Sequence, residues 1–188
     1  MKKFCITSLI LMSFLSSGYK MTESYVIDSE QNAYIHNNKG LIHLKEKSYY
    51  PAIQEFKIAI SLSPNTQASS VFYNNLGECY MELGHPEMAQ DCFERALQQF
   101  TLNFKYYQNL AKCYYDLGYA QEQIQHSQND KNPLSMILRG LLYEMSGDKI
   151  RAITTLDEFA AREPDLIITE AVKQHIKELV KQTYDDDK

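Results

Sequence analysis

Apolar and aromatic residues recur along this chain at helical spacing, in units that repeat every 29 to 37 residues. Each unit has a small residue near the middle of its first half, called the anchor residue below. The anchors are Gly40, Gly77, Ala111 and Gly140. A bulky residue lies four positions before each anchor, and a tyrosine or histidine lies three positions after it, so both lie on one face of a helix. The pattern predicts four units that each open with a helix.

A turn and a second helix follow the first helix of each unit. Gly84, Gly118 and Gly147 lie seven positions after their anchors, and glycine is the residue best suited to the left-handed conformation that ends a helix. Lys47 is the exception at this position. Small and large apolar residues then alternate, as Ala52, Phe56 and Ala59 in the first unit and Ala89, Phe93 and Ala96 in the second. This alternation predicts closely packed helix pairs, because the small residues let two helices approach.

The third unit departs from this pattern in its second half. Its opening helix fits, but Gln123, Ser127 and Asp130 replace the small and aromatic residues of the second helix. The surrounding run, 121–132, is mostly polar. We therefore expect a short second helix of about two turns, followed by a loop.

The repeated unit resembles the tetratricopeptide repeat, whose unit has about 34 residues. The second unit carries the resemblance best, through Tyr73, Leu76, Gly77, Tyr80, Gly84, Ala89, Phe93 and Ala96. The resemblance covers residues 33–165 and implies an all-α fold, a right-handed superhelix of about four helix pairs. The units are expected at 33–66, 70–103, 104–132 and 133–166, the third being degenerate.

The last segment, 165–184, reads as an amphipathic helix. Ile168, Val172, Ile176 and Val180 follow each other at intervals of four residues, with lysines between them on the other side. A stack of repeats has an apolar end that a helix with one polar side can cover. The segment is therefore predicted to cap the array, with partner binding as the alternative, and residues 185–188 are expected to form an acidic tail.

The N-terminus has the composition of an export signal. Lys2 and Lys3 precede twelve mostly apolar residues, Phe4 to Leu15, and small residues follow at Ser16 and Gly18. A bilayer span needs about 20 apolar residues, so a stable transmembrane anchor is not expected. The pattern predicts a signal peptide at 1–18, a linker at 19–32 and a secreted or periplasmic protein. Two alternatives keep the protein cytoplasmic: an uncleaved hydrophobic helix that packs in the groove, or a translation start at Met21.

The charge composition argues against one class of partner, and the cysteine count argues against disulfide bonds. The chain has 188 residues, 44% of them hydrophobic, and a net charge of -5 without any basic stripe, which argues against nucleic acid as a partner. Cleavage of the signal would leave Cys79, Cys92 and Cys113, an odd number that favours buried thiols over disulfides. Cys79 and Cys113 lie at equal heights on neighbouring first helices, whose axes are about 8 to 10 Å apart, too far for a bridge.

The sequence offers no catalytic constellation. His36 and His43 share a helical face, but seven residues separate them by about 10.5 Å along the axis, too far for one zinc ion. The chain also lacks a phosphate-binding loop and a nucleophile motif. We therefore predict a protein that is not an enzyme and has no cofactor or metal.

The resemblance implies that the first helices line a concave groove. The expected groove residues are Tyr34, Asn38, Leu41, Asn75, Glu78, Met81, Lys105, Asn109, Lys112, Tyr115, Leu138 and Leu141. Asn38, Asn75 and Asn109 lie two positions before their anchors, where their amides could bond a partner's backbone or only local groups, and both interpretations stay open.

One subset of the family holds a C-terminal carboxylate through lysine, asparagine and arginine side chains. Asn75 and Lys105 match that set, but Asn37, Leu41 and Asn109 occupy the positions of the required lysine, asparagine and arginine, so such a clamp is not predicted. The resemblance implies an adaptor or scaffold that binds a protein or peptide in an exported or envelope complex. The alternative is a cytosolic chaperone similar to those of type III secretion translocators.

Overall fold

The computed structural model describes residues 28–186, and this part of the chain is all-α, as predicted. Its nine helices are α1 (Ser29–Lys45), α2 (Tyr49–Leu62), α3 (Gln67–Glu82), α4 (Pro86–Gln99), α5 (Phe104–Asp116), α6 (Ala120–Gln128), α7 (Ser135–Met145), α8 (Lys149–Arg162) and α9 (Ile167–Asp186). Helices α1 to α8 follow each other as four helix–turn–helix units; the two helices pack closely in the first, second and fourth units, α5 and α6 touch only slightly in the third, and α9 follows the last unit. The predicted signal peptide and most of the predicted linker lie outside the described residues.

The first helix begins earlier than the first predicted repeat. Asp28 is its N-cap, and the carboxylate of Asp28 accepts a hydrogen bond from the backbone N–H of Gln31 at 2.9 Å. Glu30 adds a negative charge in the first turn, where the helix dipole favours it. Residues 29–32, assigned to the linker from the sequence, are therefore part of α1.

The third pair has the short second helix that its polar sequence predicts. Helix α6 has nine residues, or about two and a half turns, and an irregular segment connects it to α7. Because α6 is short, α7 packs directly against α5 as well as against α6. The stack thus continues through the degenerate repeat.

Three of the anchors are glycines because the paired helix comes too close for a side chain. A Cβ atom on Gly77 would lie 2.5 Å from Cε1 of Phe93, and one on Gly40 would lie 2.5 Å from Cε1 of Phe56. In the third pair the anchor is alanine, and the residue sixteen positions later is Ser127 instead of a large apolar residue. A methyl group at the anchor therefore occurs in the one repeat that lacks the large residue sixteen positions later.

The turns inside the pairs share one backbone conformation. Gly84, Gly118 and Gly147 have φ angles of 74°, 78° and 83°. Lys47 takes the corresponding position between α1 and α2 with φ at 58°, a region that residues with a Cβ adopt at a cost on the order of 1 kcal/mol. The turn after α1 is therefore the strained member of this set.

The two ends of the stack differ. At the C-terminal end, α9 buries Ile168, Val172 and Leu179 and turns charged residues outward. At the N-terminal end, Ile35 and Ile42 are 45% and 58% exposed, although the residues at the corresponding positions of α3 are fully buried. The apolar face of α1 is thus uncovered within the described part of the chain.

None of the helices between residues 28 and 186 has both the length and the apolar character that a bilayer span requires.

Candidate functional site

A cleft of about 450 Å³ opens between α1, α3 and α5, on the side of the stack formed by the first helices. We call it the α1–α3–α5 cleft. Its apolar part is formed by Leu44, Met81 and Phe93. Its polar part contains four lysines and two glutamates, namely Lys45, Lys47, Lys105, Lys112, Glu78 and Glu82, together with Tyr49 and Asn109. The cleft therefore combines an apolar surface with an excess of positive charge.

A hydrogen-bond network centred on Glu78 fixes one wall of the cleft. Oε1 of Glu78 accepts hydrogen bonds from Nδ2 of Asn74 at 3.0 Å and Nδ2 of Asn109 at 3.0 Å, and Nζ of Lys105 lies 2.6 Å away. Nδ2 of Asn109 also donates to Oδ1 of Asn74 at 2.8 Å. The network joins α3 to α5 and neutralises Lys105 within the protein.

The second carboxylate of the cleft is also engaged. The hydroxyl of Tyr49 donates to Oε2 of Glu82 at 3.0 Å, which connects the start of α2 to the end of α3. This hydrogen bond is the main reason that the pKa of the Tyr49 phenol is raised above its ordinary value. By contrast, no ion pair within residues 28–186 neutralises Lys45, Lys47 or Lys112.

Five of the predicted groove residues line this cleft: Glu78, Met81, Lys105, Asn109 and Lys112. Tyr34 lies in a second depression of about 540 Å³, formed where α1, α3 and α5 begin. Asn38, Leu41 and Tyr115 are exposed and Leu138 is half-buried, and none of these four lines either depression. The structure thus brings together five of the seven residues predicted on α3 and α5, the exceptions being Asn75 and Tyr115, and none of those predicted on α1 and α7 lines this cleft.

Two predicted groove residues need correction because they are buried. Asn75 is only 7% exposed, and its Nδ2 donates to Oδ1 of Asn37 at 2.9 Å. Leu141 is 1% exposed and belongs to the apolar core. Neither side chain offers surface to a partner in this conformation. In the asparagine row, Asn75 and Asn109 both bond groups of the protein itself.

The groove residues predicted above leave out six residues of the cleft: Leu44, Lys45, Lys47, Tyr49, Glu82 and Phe93. Lys47 and Tyr49 belong to the turn and the start of α2, whereas the prediction considered first helices alone. One signal was visible beforehand, because Lys47 replaces the glycine of the other repeats.

The cysteines agree with the prediction of buried thiols. Cys79, Cys92 and Cys113 are buried and form no disulfide. Burial is the largest cause that raises the pKa of Cys79 and Cys92 to about 12 and that of Cys113 to about 11. At neutral pH these thiols stay protonated and are poor nucleophiles.

Other titratable groups pair across helices. Nδ1 of His36 lies 2.6 Å from Oε2 of Glu55, and Nε2 of His175 lies 2.6 Å from Oε2 of Glu144. The residues that the structure describes contain no group of three or more His, Cys, Asp or Glu side chains that could hold a metal ion.

Comparison with known proteins places the repeats in a family. Two sequence profiles described as Tetratricopeptide repeat match residues 33–66 and 67–129. The search of curated proteins found no match to this chain. Among solved structures, PilF of Pseudomonas aeruginosa is similar at 20% identity and a TM-score of 0.51, covering 79% of this chain and 68% of PilF.

A tetratricopeptide repeat protein from Parabacteroides merdae is similar at 19% identity and a TM-score of 0.51, covering 82% of this chain and 62% of that protein. At these identities the similarity supports the fold alone.

Proposed function

The chain belongs to the tetratricopeptide repeat family, and from that premise we propose that it is a non-catalytic adaptor that binds a segment of a partner polypeptide in the α1–α3–α5 cleft. The observation that carries the proposal is the cleft itself, whose apolar and polar parts lie side by side in one depression. Binding sites of this type bury apolar side chains and use a few polar groups to fix orientation.

The cleft suits a short extended segment or the edge of a helix. An apolar side chain of the partner would pack on Leu44 and Met81, which are only partly buried in the absence of a partner. The Glu78 network holds Asn109 in place before binding, so the protein loses little side-chain entropy there when the partner arrives.

The proposal predicts that changes inside the cleft weaken peptide binding while changes elsewhere do not. A short peptide selected from a random display library on the purified protein serves as the probe, and its Kd is measured by fluorescence anisotropy. We expect Met81→Asp to weaken binding at least about tenfold, because it places a charge in the apolar part of the cleft.

The matched control is Lys177→Glu, which changes a charge on the exposed side of α9 and should leave the Kd unchanged. Far-UV circular dichroism verifies that both variants are folded. Equal affinity in wild type and Met81→Asp would contradict the assignment of the cleft, as would a library that yields no binding peptide.

We further propose that the adaptor acts outside the cytoplasm, after removal of residues 1–18. The support is the order of basic, apolar and small residues at the N-terminus, which lies outside the described residues. N-terminal sequencing of the protein from its native host is expected to begin at Tyr19. A sequence that begins at Met1 or Met21 would contradict export and favour the cytosolic chaperone alternative.

A further inference from the structure

We infer that the α1–α3–α5 cleft selects an internal segment with at least two carboxylate side chains, and that Lys47 is a specificity residue for that segment. The inference rests on the proposed function and adds the chemical class of the partner. It is carried by three observations: unbalanced charge, an unusual backbone conformation at Lys47, and the engagement of the donors that would otherwise hold a single carboxylate.

The charge of the cleft is opposite to that of the chain. The whole protein has a net charge of -5, yet the cleft contains four lysines and two glutamates. Glu78 is paired with Lys105, and Glu82 accepts a hydrogen bond from the neutral phenol of Tyr49, so four lysines against two glutamates leave an excess of positive charge, and neither glutamate forms an ion pair with Lys45, Lys47 or Lys112. Carboxylates of a partner would form charge-assisted hydrogen bonds with these ammonium groups in a partly desolvated cleft.

Lys47 is the second observation. The three other turns of this kind use glycine at φ angles of 74° to 83°, and Lys47 is strained at 58°. The turn keeps the same hydrogen bonds as its glycine counterpart: the Lys47 N–H donates to the carbonyl of Leu44 at 3.0 Å, as the Gly84 N–H does to that of Met81 at 3.0 Å. Glycine would serve this turn without strain, so the lysine side chain, which lines the cleft, points to a functional role.

The third observation is that the convergent donors of the cleft are already engaged, which favours side-chain carboxylates over a free C-terminal carboxylate as the ligand. A single terminal carboxylate needs several donors that converge on one point. The amide of Asn109 and the ammonium of Lys105 do converge, but on Glu78 of the protein itself. The three unneutralised lysines belong instead to three different elements: α1, the turn after it, and α5. This distribution fits two or more carboxylates spaced along a segment.

The experiment uses two synthetic peptides with acetylated and amidated ends and a common apolar residue. One contains Asp and Glu, and the other has Asn and Gln at the same positions. We expect wild-type protein to bind the acidic peptide at least about tenfold more tightly, with a preference that falls as salt increases. Lys47→Gly should weaken binding of the acidic peptide about tenfold and raise the thermal midpoint by about 2 to 4 °C.

Gly84→Lys is the matched control, because it places the same strain in the corresponding turn of the second repeat, outside the cleft lining. It should lower the thermal midpoint and leave the affinity for the acidic peptide unchanged. Unchanged affinity in Lys47→Gly would overturn the role of that lysine.

Equal affinity for the two peptides would overturn the acidic preference while leaving peptide binding in the cleft intact. Tighter binding of a version with a free C-terminal carboxylate would overturn the preference for an internal segment. If neither these peptides nor any library peptide binds, the proposed function fails together with this inference.

Discussion

Replacing Phe93 with Ala is expected to lower the free energy of unfolding by about 3–5 kcal/mol, because a large buried ring is lost and a cavity is left. Phe93 is 1% exposed and lies against Gly77 of the paired helix. Urea denaturation followed by far-UV circular dichroism measures the change. Tyr50→Ala, in the second helix of the first repeat, is the control. Tyr50 is 69% exposed, so its replacement should change the free energy of unfolding by less than about 0.5 kcal/mol.

The contact between Phe93 and Gly77 can be isolated by a double-mutant cycle. In the wild-type background, Gly77→Ala would place its methyl group 2.5 Å from the ring, and relieving that overlap should cost about 1–3 kcal/mol. In the Phe93→Ala background the space is open, and alanine is a better helix former than glycine by about 1 kcal/mol. The effect of Gly77→Ala should therefore change sign.

A destabilisation by Gly77→Ala of the same size in both backgrounds would show that the ring does not require the glycine. The chain has a parallel in its sequence, since the one alanine anchor, Ala111, occurs in the repeat where Ser127 stands in place of the large residue.

The fold could be predicted from sequence because the anchor residue and the large residue sixteen positions later vary together within each repeat. The glycine, the turn and the large residue sixteen positions after the anchor all belong to one helix pair, so their spacing directly reports the local packing. The second helix of the third repeat was predictable for the same reason: polar residues at the packing positions leave little to hold a longer helix than α6. The all-α repeat fold is thus encoded within single repeats.

The cleft was only partly predictable because it depends on contacts between repeats. Asn38, Asn75 and Asn109 share one repeat position, yet Asn38 is exposed, Asn109 is half-buried and Asn75 is buried. This position lies at the border between the groove and the preceding repeat, so neighbouring side chains decide its exposure. Asn75 meets Asn37 from the first repeat, whereas Asn38 has no described repeat before it.

Lys47 and Tyr49 could not be assigned to the cleft from sequence for the same reason. Whether Lys47 and Tyr49 reach the cleft depends on how the first pair is inclined against the second and third. Their distance in sequence from α3 and α5 carries no information on that angle, and only the lysine in place of glycine indicated an unusual site.

A single substitution in α9 is expected to cause the largest local loss of stability. Val172 is 0% exposed and lies on the face of α9 that packs against the stack, whereas the neighbouring Ala171 is exposed. Val172→Lys would bury an unpaired ammonium group, and we expect it to lower the free energy of unfolding of α9 by about 3–5 kcal/mol. Ala171→Lys adds the same charge one position away in solvent and should have little effect.

Hydrogen exchange measured by mass spectrometry distinguishes a local from a global response. Because each repeat contacts mainly its neighbours, Val172→Lys should remove protection from α9 and reduce it in α8, while α1 to α4 keep theirs. Equal loss of protection throughout the stack would mean that the repeats unfold as one unit. Unchanged protection in α9 would mean that its apolar face does not hold it in place. Selective loss in α8 and α9 would instead show that α9 shields the last repeat through its buried face, which contains Ile168, Val172 and Leu179.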